Sequence, residues 1–152
     1  MSPCRPALWQ FCAGRLQARH NRPMPSHQFQ SEAAVRYLPE ASDPQAPLYV
    51  FAYTITIRNV GDVAAQLIAR HWEIEDAQGR VQVVDGLGVV GQQPLLQPGE
   101  AFQYSSSAPL QTPMGIMSGH YFCVGVDGHR FEAPVPAFVL RAEGVNGGAA
   151  WH

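Results

Sequence analysis

The sequence predicts an all-β fold of the sandwich type. Three observations predict it. The longest regular segments alternate apolar and polar residues at a period of two, and no stretch holds the helical period. The third is that 14 Gly and 13 Pro cut the chain into short segments joined by turns.

The length of 152 residues suits one domain with its own core. Residues 1–27 mix Arg, Pro, His and polar residues without any period and read as a disordered extension. The folded domain is expected over residues 28–141, followed by a small, polar tail over 142–152. Within the domain, residues 28–38 form a weakly patterned first strand, and Pro39, Ser42, Asp43 and Pro44 mark a loop. Tyr49–Asn59 is the clearest strand. Phe51, Tyr53, Ile55 and Ile57 share one face, and Ala52, Thr54, Thr56 and Arg58 share the other. After a turn at Gly61 and Asp62, residues 65–76 form the next strand. Ile68, Trp72 and Ile74 face one way, and His71, Glu73 and Glu75 the other. Arg70 falls on the apolar side by parity, which demands either a bulge or a partner for its guanidinium. That partner is expected to be an acid such as Glu100, or an anion held beside the glycine-rich stretch.

A strand over residues 80–84 pairs back across Gln78 and Gly79. Residues 85–97 read as a glycine-rich loop, 100–107 as a strand, 108–118 as a second loop and 119–126 as a strand. Asp127–Gly128 marks a tight hairpin. Residues 129–133 return, and a last strand lies near 138–140. Trp72 in an early strand and Tyr121, two residues before Cys123 in a late one, match the core tryptophan and tyrosine of immunoglobulin-like domains. No second cysteine pairs with Cys123, which points to the fibronectin type III-like variant and makes Cys123 a small apolar core residue.

Composition narrows the function classes. Net charge is −2 and the chain has no lysine, so a general nucleic-acid surface is not expected. No apolar run approaches the roughly 20 residues of a membrane span. The apolar stretch at residues 7–13 is short and broken by Gln10, so no signal peptide is read there and the cytoplasm is the expected compartment. Three cysteines without a CxxC spacing suit neither a disulfide framework nor a zinc knuckle.

Several runs then share a family likeness. YVFAYTITIRN (Tyr49–Asn59), ARHW (Ala69–Trp72), GLGVVGQQPLLQPGE (Gly86–Glu100) and GHY (Gly119–Tyr121) resemble the bacterial ApaG family, as do YLPEASDP (Tyr37–Pro44) and PAFVL (Pro136–Leu140). The resemblance implies a fibronectin type III-like or immunoglobulin-like β-sandwich. It implies a gene named for cobalt and magnesium efflux on genetic grounds. It also implies kinship with domains of eukaryotic F-box proteins and of a DNA-polymerase-delta-interacting protein, where protein binding is the expected role. The family supplies no agreed catalytic activity.

Two constellations invite chemistry. Gly86, Gly88 and Gly91 spell a GxGxxG run, which cradles a pyrophosphate only between a strand and a helix. Pro94 follows too closely for a helix, because it turns Gln93 away from the α conformation. A structural loop is the main reading, and an anion held by loop amides is the alternative. The second constellation follows from parity. With Trp72 and Tyr121 inward, His71 and His120 face outward on strands expected to be neighbours, and Glu73 lies nearby. Imidazoles with a carboxylate suit cobalt, nickel or zinc, although neither HxH nor HxxxH spacing is present. Ser105, Ser106 and Ser107 lack a GxSxG elbow, and no nucleophile–base pair stands out. The expectation is a non-enzymatic module binding a protein partner, with no cofactor. The alternatives are a cobalt or magnesium homeostasis protein using His71, His120 and Glu73, and an anion or nucleotide binder using Gly86, Gly88 and Gly91.

Overall fold

A computed structural model describes residues 25–142 of the chain. The strands are β1 (Phe29–Tyr37), β2 (Tyr49–Asn59), β3 (Ala65–Asp76), β4 (Val81–Leu87), β5 (Leu95–Leu96), β6 (Ala101–Leu110), β7 (Met114–Gly125) and β8 (Arg130–Arg141). A single 3-10 turn at Pro39–Ala41 follows β1. All pairings between strands are antiparallel. One sheet has the order β1-β2-β6, and the other β4-β3-β7-β8 with β5 added beside β3.

The period-two pattern of β2 does what it predicts: Phe51, Tyr53, Ile55 and Ile57 are buried. They meet the inner residues of the second sheet across the sandwich, with the Tyr53 and Trp72 ring centroids 5.9 Å apart. Trp72 in turn meets Tyr121 edge-on at 6.0 Å, the arrangement aromatic quadrupoles favour. The hydroxyls of Tyr104 and Tyr121 share a hydrogen bond of 2.7 Å in this core. Burial raises the Tyr104 phenol to about 12, and raises Tyr121 further still. Cys123 is fully buried, and its thiol is pushed up to about 12 by that burial. Asn59 is buried but satisfied: its amide donates to the Val63 and Leu96 carbonyls, and its oxygen accepts from the Gly61 N–H.

Several sequence expectations are corrected. Ile68 is not a core residue. A bulge between Leu67 and Ala69 inserts it into β3, so the side chain turned inward is Leu67, which is fully buried. Residues 85–97 are not one loop, since β4 runs on to Leu87 and β5 follows. Residues 108–118 are strand at both ends: β6 continues through Pro109 to Leu110, and β7 begins at Met114. The two final segments form one strand, β8, bulged so that Pro136 and Ala137 lie opposite Ser118. Prolines are tolerated there because β8 is an edge strand, and its outward side needs no ladder donor.

The fold also reaches past its expected ends. Ser26 N–H donates to Asp62 Oδ1, and His27 Nε2 donates to Asp127 Oδ2 at 2.8 Å. His27 stacks on His129 with centroids 4.0 Å apart. The bond from His27 holds the Asp127 carboxyl below its usual range. Ala142 is buried and bonds the Pro113 carbonyl. Residues 1–24 of the expected 1–27 extension, and residues 143–152 of the expected 142–152 tail, lie outside the described residues.

Candidate functional site

The parity argument places His71 and His120 on the outer face of the β4-β3-β7-β8 sheet, and there they are direct cross-strand partners. Their rings stack with centroids 5.0 Å apart and planes 27° from parallel. His71 Nδ1 lies 2.6 Å from Asp85 Oδ1, its partner on β4, and Nε2 lies 3.1 Å from Glu73 Oε2. A carboxylate only accepts and each ring nitrogen faces one, a geometry that favours the protonated imidazole. The hydrogen bond to Glu73, then that to Asp85, raises its pKa above the ordinary value of 6.5. His120 Nε2 lies 3.8 Å from Glu132 Oε2 on β8.

The expected metal set of His71, His120 and Glu73 is therefore assembled as neighbours, but as an ion-pair cluster. Both nitrogens of His71 are engaged by carboxylates. Among the described residues, no group of three or more His, Cys, Asp or Glu converges as a metal site.

Sequence reasoning missed Asp85 and Glu132, because both lie far from the histidines along the chain. It also missed the apolar surroundings of the cluster. Val81, Val83 and Leu87 on β4, Ile116 and Phe122 on β7, and Val139 on β8 are all exposed. Their register sets them on the same face as His71, with Leu87–Ala69–Phe122 in the row on one side and Val81–Glu75–Ile116–Val139 on the other. Period two is the signal that could have found them, since Val81, Val83, Asp85 and Leu87 alternate in step.

The glycine run follows β4 into a tight hairpin. Val89 and Gln92 exchange backbone hydrogen bonds of 2.8 and 2.9 Å. Between them, Val90 (φ 42°) and Gly91 (φ 80°) both have positive φ, as a type I′ turn requires. The bulged Ile68 carbonyl anchors the hairpin by accepting from the Gly88 N–H and from Gln93 Nε2, each at 2.8 Å. Strand β5, not a helix, follows. Arg70 stays on the inward side and finds its partners here. Its Nη1 donates to the carbonyls of Leu87 at 3.1 Å and Gly88 at 2.9 Å, so no acid is needed and Glu100 is not its partner. Instead Glu100 Oε1 accepts from the Gln97 N–H. The guanidinium lies flat on Gly86, where a Cβ would stand 2.7 Å from three of its atoms.

At one end of the sandwich a cavity of about 370 Å³ opens between the sheets, lined by Leu48, Ile74, Asp76, Val81, Pro109 and Leu110.

Two antiparallel sheets around an aromatic core, with the ionisable cluster on an open sheet face, define a β-sandwich module of the fibronectin type III-like class. The ApaG domain model matches residues 39–125. Protein ApaG of Ralstonia nicotianae is 58% identical over 117 residues, spanning 77% of this chain and 94% of that one. Protein ApaG of Thiobacillus denitrificans is 64% identical over 104 residues, spanning 68% and 82%. The crystal structure of the putative ApaA protein from Bordetella pertussis superposes with a TM-score of 0.75 at 53% identity, covering 78% of this chain and 97% of that one. The chain belongs to the ApaG family.

Proposed function

We propose that the chain is a non-enzymatic protein-binding module, and that its contact surface is the outer face of the β4-β3-β7-β8 sheet. One observation carries this reading: six exposed Val, Leu, Ile and Phe side chains share that face with the His71–His120 stack. Exposed apolar side chains gathered around polar groups on one face mark interaction sites on globular domains. The imidazoles and the carboxylates of Glu73, Asp85 and Glu132 supply the polar contacts that set orientation.

The test compares three baits in quantitative affinity capture: the wild-type chain, the Ile116→Glu/Phe122→Glu variant, and Ser106→Glu on the other sheet. All three positions are exposed, so circular dichroism should show unchanged folding. Proteins retained by wild type and by Ser106→Glu should drop out with the double variant. The same protein set on all three baits would refute the assignment of this face.

A further inference from the structure

We infer that β4 is the seam of a symmetric dimer, formed when Val81–Leu87 pairs antiparallel with the same strand of a second copy. The argument begins with backbone groups. An antiparallel pair alternates residues that exchange hydrogen bonds with residues that do not. The Gly88 N–H bonds the Ile68 carbonyl, and the Asp76 N–H bonds the Arg80 carbonyl. With the register Ala69↔Leu87 to Glu75↔Val81, this turns the even-numbered residues of β4 toward β3. The N–H and C=O groups of Val81, Val83 and Asp85 point the other way, into the open edge. So does the Leu87 N–H. The Leu87 carbonyl receives Arg70 and keeps a second lone pair.

Open edges invite strand pairing unless they are guarded by proline, lysine, a bulge or cover. Strand β8 carries Pro134, Pro136 and a bulge, and it runs beside β1, the edge of the other sheet. Strand β6 carries Pro109. Among the described residues, strand β4 has none of these devices, and its ladder with β3 is regular.

The sequence of β4 also selects a register. A two-fold axis at Val84 pairs the strand over its whole length. It sets Val81 beside Leu87 of the second copy on the outer face and Val84 beside its counterpart on the inner one. An axis at Asp85 would put like charges directly opposite, which is unfavourable. An axis at Val83 would leave Leu87 beyond the paired stretch. With the axis at Val84, each Asp85 lies opposite Val83 and is already paired with its own His71 at 2.6 Å. The dimer would join two copies of the outer face into one continuous surface, so a partner with two binding segments could engage both at once. This seam uses the edge of β4 and does not depend on what docks on the face.

Sedimentation equilibrium of the full chain tests it. A seven-residue pairing buries less than the roughly 1,200 Å² of a standard stable interface. Association is therefore expected on the order of 100 µM, with the average mass rising toward two chains near 1 mM, roughly a tenfold excess. Val83→Pro removes one seam donor and no bond to β3, and should remain monomeric throughout. Val83→Glu, which leaves the backbone intact and sets a second carboxylate directly opposite Asp85 of the other copy, should do the same. Ser106→Lys on β6 and Phe122→Glu on the face should leave the dimer unchanged. In a Cys4→Ser/Cys12→Ser background, Val84→Cys should form an intermolecular disulfide on oxidation, because Val84 faces itself as a non-hydrogen-bonded pair with close Cα atoms. A wild-type chain monomeric at about 1 mM, or a dimer that survives in folded Val83→Glu, overturns the inference.

Discussion

The three glycines of the GxGxxG run should respond to alanine in three different ways, because the structure gives each a different reason to lack a side chain. Gly91 has φ 80° and nothing within 4 Å of a built Cβ. Gly91→Ala therefore meets only the left-handed penalty, about 1–2 kcal/mol. Gly88 has φ 64°, and its Cβ would stand 2.3 Å from the Gln92 carbonyl oxygen. That obstacle is backbone inside a closed hairpin, so an overpacking cost of about 1–3 kcal/mol adds to the same penalty, for about 2–5 kcal/mol in all. Gly86 has ordinary φ, and the three atoms nearest its Cβ would all belong to the Arg70 guanidinium. The end of a flexible side chain can swing away, at the loss of two hydrogen bonds, about 1–3 kcal/mol together. The Gly86→Ala cost should nearly vanish in an Arg70→Ala background, since the two positions share one interaction. Urea unfolding midpoints at constant slope measure all of these. Equal costs at Gly88 and Gly91, or an undiminished Gly86→Ala cost without Arg70, would refute the structural account of the run.

The bulge in β3 makes Leu67, not Ile68, the core residue, so Leu67→Ala should cost about 2–5 kcal/mol and Ile68→Ala far less in paired denaturation curves. Tyr121→Phe strands the buried Tyr104 hydroxyl and should cost about 1–3 kcal/mol, whereas the double Tyr104→Phe/Tyr121→Phe variant should recover most of that loss on thermal unfolding. The His71 pKa is raised by Glu73 and Asp85, so the folded state binds its proton more tightly than the unfolded chain does. The resulting stabilisation is complete below the ordinary value of 6.5 and is lost as pH rises through the raised value. His71→Gln should flatten the pH dependence of stability in that window, and the His71 ring resonances should titrate above those of a model imidazole in NMR.

How much of this was legible in the sequence depends on how locally each feature is determined. The bounds of β2 and β3 can be read from the chain, because alternation over eleven or twelve residues is hard to counterfeit. The stacked histidines can be read as well, since parity fixes their face and the fold class fixes their neighbours. A bulge leaves no such trace. Inserting Ile68 shifts the phase of β3 by one residue, and the sequence on each side still alternates. Gly115 reads as a loop residue and Gly119 as the first residue of a strand, although both lie within β7. Each marks a close approach inside a ladder: a Cβ on Gly115 would stand 2.7 Å from the Glu75 carbonyl oxygen, and one on Gly119 would meet the His71 carbonyl oxygen.

Pro134 and Pro136 misled in the same direction, because a proline ends a central strand but decorates an edge. Whether β8 is central or edge is a property of the whole sheet. The ionic partners of the histidines belong to this class too. Asp85 reaches His71 only because β4 folds back on β3 with no offset, and Glu132 reaches His120 only across β8. Phase, edge status and cross-strand partnership are each settled by the neighbour of a strand and not by the strand itself. The glycine run spells GxGxxG in one dimension, although a structural loop is its main reading. In three dimensions Gly86 makes room for Arg70, Gly88 for the Gln92 carbonyl and Gly91 for the turn, and the run holds together the corner from which the outer face of the sheet extends.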